Sequence, residues 1–255
     1  MVRTEYALGT VVTLEVHPGR CSRGQVARGL QRAAVALHRA DEVFSVWKPD
    51  SPMSRVRREE LSLAQAPPEI AEVLGRCAEA RRLSRGWYDP WAGPGGVDPT
   101  VLARGWALGR ALRALRATGA DGGLVTAGQT AAAFGAAPGR IGGAWEIEAG
   151  TPPVVVHLDG GVAGSVATAT PGGAGPGGEL RSASVVGPDP ALASALAAAV
   201  LAAGPAGLAL MAELPAHRVV VTDRRGDCRT AGQAPLAATT GRPPTGRSAT
   251  ARSAA

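Results

Sequence analysis

Between Gly86 and Trp106 the chain reads GWYDPWAGPGGVDPTVLARGW, two Asp-Pro pairs set around a glycine-rich turn. Proline at 90 and 99 disfavours the helical region for Asp89 and Asp98, so each carboxylate falls where regular structure breaks. Binding groups concentrate in such turns. Pro99 also suits the first turn of a helix, which makes Asp98 the expected N-cap and aims free backbone amides at whatever lies beside it. An anion or a nucleotide is the ligand this chemistry suits. A single Asp-Pro is usually a plain turn former. Two so close, with Trp87, Tyr88 and Trp91 interleaved, favour a ligand site.

The elements that must position this segment are legible on both sides. Val12, Leu14 and Val16 alternate with Thr13 and Glu15, the period of a half-buried strand. Val26, Leu30, Ala33, Leu37, Ala40 and Phe44 then recur at spacings of four and three, which predicts a long amphipathic helix with arginines on its other face. It delivers Phe44-Ser45-Val46-Trp47 to a turn at Pro49-Asp50-Ser51-Pro52. A second helix is expected from Pro68 to Ser84, with Gly86 just past its end, and a third from Pro99 to about Thr118, stopped by Gly119. Short apolar runs at 123–126, 145–148, 154–158, 184–186 and 219–222 read as strands. Helices are expected at 190–203 and 205–214. Helices mixed with scattered strands favour an α+β domain over a regular βαβ repeat, and no internal repeat is visible.

Length and composition bound the rest. A chain of 255 residues that is 45% hydrophobic can build one substantial core. The formal charge of +6 is concentrated: from Arg224 onward six arginines face one acid, Asp227, which is +5 and leaves +1 for all other residues. A near-neutral body argues against a nucleic-acid partner. We therefore read residues 1–223 as one domain, and 224–255, rich in Ala, Thr, Pro, Arg and Ser, as a basic tail expected to be disordered. Cys21, Cys77 and Cys228 are odd in number and far apart, which offers no zinc pair and fits a reducing cytoplasm. The first residues lack a signal pattern, and the alanine-rich stretch 191–203 is too short to span a bilayer. A cytoplasmic protein without membrane insertion is expected.

In order along the chain, these motifs resemble the FAD:protein FMN transferase family, also called ApbE. Leu8-Gly9-Thr10 is similar to its opening Met-Gly-Thr, and Phe44-Ser45-Val46-Trp47-Lys48-Pro49-Asp50-Ser51 to its Phe-Ser-x-aromatic-x-Pro-x-Ser turn. Gly86-Trp87-Tyr88-Asp89-Pro90 is similar to Gly-x-Phe-Asp-Pro. Val97-Asp98-Pro99-Thr100 through Ala103-Arg104-Gly105-Trp106 resembles Asp-Pro-x-Gly-x-x-Lys-Gly-Trp. The resemblance implies a single ApbE-like domain of mixed β-sheets packed with helices. It also implies transfer of FMN from FAD to a Thr or Ser of an acceptor flavoprotein, with Mg²⁺ required and AMP released. Trp47, Trp87, Tyr88, Asp89 and Asp98 would line the FAD site, and Arg104 stands where the family has lysine. Arginine keeps the charge but presents a planar fork, so the exchange is not neutral.

Four departures fall in the second half. The family's Ala-Asp-Ala-x-Ala-Thr helix, whose Asp and Thr share one face toward the metal, becomes Ala193-Ser194-Ala195-Leu196-Ala197-Ala198. Ser194 at the Asp position is a weak candidate ligand, and Ala198 offers none. Asn-x-Gly-Gly-Asp becomes Thr126-Ala127-Gly128-Gln129-Thr130, and Ala-Thr-Ser-Gly becomes Ala163-Gly164-Ser165-Val166. The His-x-x-Asp-Pro segment has no counterpart in residues 171–179, which removes a potential acid or base. His157, in a predicted strand, reads as structural. Two outcomes stay open: a divergent transferase, or a non-catalytic relative that binds FAD or a protein partner on the same scaffold.

Overall fold

The computed structural model describes the chain except Pro94 and residues 140–142, 152, 159–163, 172–177, 234–236 and 240–255. Two strands open it, β1 (Val2–Ala7) and β2 (Thr10–His17), joined by a tight turn in which Leu8 and Gly9 both take positive φ. The buried side chains of β2 are Val12, Leu14 and Val16, as the alternation required. α1 (Arg23–Phe44) follows, started by a capping box in which the Ser22 side chain accepts from the Gln25 amide and the Gln25 side chain returns to the Ser22 amide. Its buried face carries Val26, Leu30, Ala33, Leu37, Ala40 and Phe44.

Where the sequence indicates only a turn, a short helix α2 (Pro52–Arg57) forms, because Ser51 caps the Ser54 amide and Pro52 occupies the first helical position. α3 (Pro68–Leu83) and α4 (Thr100–Arg116) lie where expected, within two residues at each end. The remaining elements are β3 (Gly122–Ala127), β4 (Thr130–Gly135), β5 (Trp145–Ala149), β6 (Val154–Leu158), β7 (Gly164–Ala169), β8 (Leu180–Gly187), α5 (Pro190–Ala203), α6 (Pro205–Ala212), β9 (Arg218–Asp223), β10 (Cys228–Gly232) and β11 (Ala237–Thr239).

Eight strands form one antiparallel sheet in the order β1-β2-β3-β4-β7-β8-β9-β10, and β11-β6-β5 form a smaller one. One face of the large sheet carries α1, α4 and α5. Ala132 and Phe134 of β4 join the cluster around α1 and α4, and Ala183 and Val185 of β8 join the cluster around α5. From the opposite face, Ala131, Ala133, Val166 and Val186 pack with Trp145, Val156 and Leu158 of the small sheet. The α+β architecture is therefore helices, large sheet and small sheet in three layers.

Strands β4 and β7 escape the sequence pattern because they are central and covered on both faces. TAAAFG and GSVATA therefore show neither polar alternation nor the usual enrichment in branched residues. Within the stretch 224–255 expected to be a disordered tail, β10 pairs with β9 from Cys228↔Thr222 to Gly232↔Arg218 and β11 pairs with β6, while residues 234–236 and 240–255 lie outside the described residues. Composition misled there because arginines and small residues on a short edge strand look like a solvated extension.

Candidate functional site

Two cavities meet at one side chain. The larger, about 630 Å³, is walled by Val101 and Arg104 of α4, by Gly128, Gln129 and Thr130 at the turn from β3 to β4, by residues 167–171 in and after β7, and by Ser194 and Ala198 of α5. The smaller, about 150 Å³, lies between the Leu8-Gly9 turn, the end of α1 from Asp41 through Trp47, and Thr100, Ala103 and Arg104. Of these lining residues only Arg104 belongs to both.

Arg104 projects from the first turns of α4. One terminal nitrogen donates to the Leu8 carbonyl over 3.4 Å, a long bond. Its Nε is buried with no hydrogen-bond partner among the described residues. A guanidinium N–H left unpaired in a protein interior is costly, and a guanidinium that lines both cavities is a donor suited to an anion.

Local structure fixes each wall. Helix α4 approaches α5 so closely that a Cβ on Gly105 would lie 2.2 Å from the Pro190 carbonyl oxygen. This contact brings Arg104 onto the same cavity as Ser194. α5 starts at Asp189, whose carboxylate accepts from the Ala191 amide and pairs with Arg76 of α3. Ser194 is buried, and its hydroxyl donates to the Pro190 carbonyl (2.8 Å). At the other wall the Thr168 amide donates to the Gln129 carbonyl (2.9 Å), and the Thr168 and Ser184 hydroxyls bond at 2.8 Å.

Around the smaller cavity, Asp41 is the organiser that sequence reading missed. Its carboxylate accepts from the Leu8 amide (2.8 Å) and from Lys48 Nζ (2.7 Å), so it holds the strained opening turn and is itself neutralised. The signal available was an acid beside the apolar stripe of α1, one turn before the Phe44-Ser45 motif. Ser51 and Ser54 both donate to the Ser45 carbonyl and fold the following loop, which leaves Trp47 90% exposed at the rim.

The Gly86–Trp106 segment has a more structural character than its motifs suggest. Tyr88, 6% exposed, is a core residue beside Cys77, and burial raises the pKa of both, that of the thiol to about 11. Asp89 accepts from the Trp91 amide and pairs with Arg81 at 2.8 Å, which together lower its pKa. Trp87 is half-exposed. Asp98 closes the loop by donating its amide to the Pro90 carbonyl. The helix boundary falls at Pro99 rather than Asp98, yet Asp98 does the capping, accepting from the Thr100 amide (3.0 Å) and hydroxyl (2.5 Å). Trp47, Arg104 and Ser194 thus converge on the cavities. Trp87, Tyr88, Asp89 and Asp98 line neither of the two: Asp98 caps α4, Asp89 pairs with Arg81 of α3, and Tyr88 packs beside Cys77.

The donor set does not suit a magnesium ion held by the protein. Magnesium favours carboxylate and phosphate oxygens, and among the described residues no Asp or Glu lines the larger cavity. Ser194 offers only a hydroxyl already committed to its own helix, and Ala198 offers nothing. Among the described residues no three His, Cys, Asp or Glu side chains gather closely enough to hold a metal. Residues 172–177, where the family's histidine motif has no counterpart, and Ala163 lie outside the described residues. His157 is part-exposed in β6, away from both cavities.

Comparison with known proteins places these features. The ApbE family model matches residues 8–97, from the Leu8-Gly9 turn through the first Asp-Pro pair. Three solved structures share the fold across 91% of this chain. The ApbE protein of Thermotoga maritima is 17% identical over 96% of its own chain with a TM-score of 0.76. The flavinyl transferase ApbE of Pseudomonas stutzeri is 19% identical over 95% with 0.75, and the flavin transferase ApbE of Vibrio cholerae 14% identical over 97% with 0.72. No curated protein is similar enough in sequence to count as a match. No helix among the described residues is long and apolar enough to cross a membrane.

Proposed function

From an ApbE fold and an ApbE-family segment at residues 8–97, we propose that this chain is a divergent FAD:protein FMN transferase. It takes FAD as substrate and a Thr or Ser hydroxyl of a flavoprotein as acceptor. The observation that carries the reading is Arg104 at the junction of two cavities, held by one long hydrogen bond and with no acid partner among the described residues, an arrangement suited to a dinucleotide whose central pyrophosphate separates two ring systems.

In the reaction the acceptor oxygen attacks the phosphorus of the FMN half, and the bond from that phosphorus to the bridging oxygen breaks. AMP leaves, and the hydroxyl proton passes to solvent. Arg104 neutralises charge on the bridging phosphates. Gln129, Thr130 and Thr168 offer hydrogen bonds from the opposite wall, and Trp47 gives a flat ring an apolar surface at the rim. The family's Mg²⁺ requirement has no ligand set among the described residues, and no step is assigned to it.

That same lack of carboxylates favours a second reading, in which the chain binds FAD, or a protein partner, without catalysis. One assay separates the two. Purified protein, FAD and an acceptor flavoprotein are incubated over a wide Mg²⁺ range, and flavin fluorescence of the denatured acceptor and free AMP are measured. Covalent flavin with equivalent AMP supports transfer. Saturable quenching of FAD fluorescence with neither product leaves the binding reading, and no binding rejects both forms of the flavin reading.

A further inference from the structure

We infer that the larger cavity is a metal-independent pyrophosphate site in which the Arg104 guanidinium takes the part of a divalent cation. The inference rests on the flavin reading only for the identity of the natural ligand; the anion chemistry stands on the cavity itself.

Three observations carry it. Among the described residues the cavity of about 630 Å³ has one charged lining residue, and that residue is a cation. Its Nε is buried with no hydrogen-bond partner among the described residues, and its guanidinium makes only the long 3.4 Å bond to the Leu8 carbonyl, whereas Arg76 of α3 is paired with Asp189. The remaining polar lining consists of uncharged donors and acceptors, Gln129, Thr130, Thr168, Thr170 and Ser194. Among the described lining residues, a divalent ion entering with a phosphate would meet one fixed positive charge and no negative one. In a partly desolvated space that repulsion is poorly screened. A planar guanidinium, by contrast, pairs with two phosphate oxygens at once and needs no ion.

The nearest acid on the other cavity, Asp41, already holds Lys48 and the Leu8 amide.

The test is calorimetric titration of the full chain with inorganic pyrophosphate and, separately, with FAD, each in EDTA and in excess Mg²⁺. Both ligands are expected to bind in EDTA, with Kd no more than threefold different when Mg²⁺ is present. Arg104→Met should weaken both at least tenfold in either buffer. Should that variant unfold, Ser194→Asp supplies an independent arm: a carboxylate in the cavity should weaken binding in EDTA at least tenfold and make Mg²⁺ restore it. Pyrophosphate binding only with Mg²⁺, or wild-type affinity in a folded Arg104→Met, overturns the inference. FAD bound only with Mg²⁺ also overturns it while leaving the flavin reading intact. Pyrophosphate bound in EDTA without FAD binding sustains the inference and removes the flavin.

Discussion

Arg104 and Asp98 divide the work of the segment that the sequence first brings to notice. Arg104 faces the cavities, whereas Asp98 spends both hydrogen bonds of one carboxylate oxygen on Thr100 at the start of α4. Asp98→Ala is therefore expected to remove about 1 kcal/mol of stability, the usual worth of a lost cap. Urea unfolding reads that loss. FAD affinity should fall less than tenfold, since the helix start shifts without removing a contact; a larger fall would mean that Asp98 touches the nucleotide. Arg104 was recognisable in the sequence by its place in the Ala103-Arg104-Gly105-Trp106 motif. That its Nε has no partner among the described residues was not, because pairing depends on Leu8, Asp41 and Ser194, which come from three distant elements.

At the scale of elements, the crossing of α4 over α5 creates the site. Gly105 permits it, with no room for a Cβ against the Pro190 carbonyl. Gly105→Ala must push the helices apart, and overpacking of this kind costs about 1–3 kcal/mol. The expected signature is a lower unfolding midpoint together with weakened FAD binding in the residual folded fraction. Unchanged binding at unchanged stability would show that the helices can slide freely. The long helices were legible because their periodicity is a local property. Strands β4 and β7 were not, since burial between helices and small sheet removes the polar alternation by which a strand is recognised.

For the whole molecule, the edge strand β10 and the buried His217 matter most. Ending the chain after Asp223 would remove β10, which pairs along the length of β9, and bare the backbone of a strand whose Val219, Val220 and Val221 are buried. A truncated protein is expected to lose thermal stability and to aggregate on heating, measured by scattering against the full chain. His217 is buried, its Nε2 has no partner among the described residues, and burial lowers its pKa below the ordinary 6.5.

The fold thus holds His217 neutral, while the unfolded chain takes up a proton as pH falls through 6.5. Its contribution is complete above that value and is lost as pH falls toward its folded pKa. Tm should drop between pH 7.5 and 5.5, and His217→Leu should flatten that slope. Glu5 acts lower on the scale: His38 first and Arg3 next hold its pKa below 4.5, so its contribution fades only under more acid conditions. An unaltered slope in the His217 variant would assign the pH 7.5–5.5 effect elsewhere.

By itself the sequence determined the helices, the Asp-Pro loop and the want of a carboxylate at Ser194 and Ala198, because each is set by residue type and near-neighbour spacing. Only the tertiary structure decided that Tyr88 is buried and Asp89 paired with Arg81, that strand pairing continues past 224, and that Arg104 lines two cavities with its Nε unpaired among the described residues. Those outcomes depend on what distant segments place against a side chain. A buried charge is satisfied or left wanting only once every wall around it has been built.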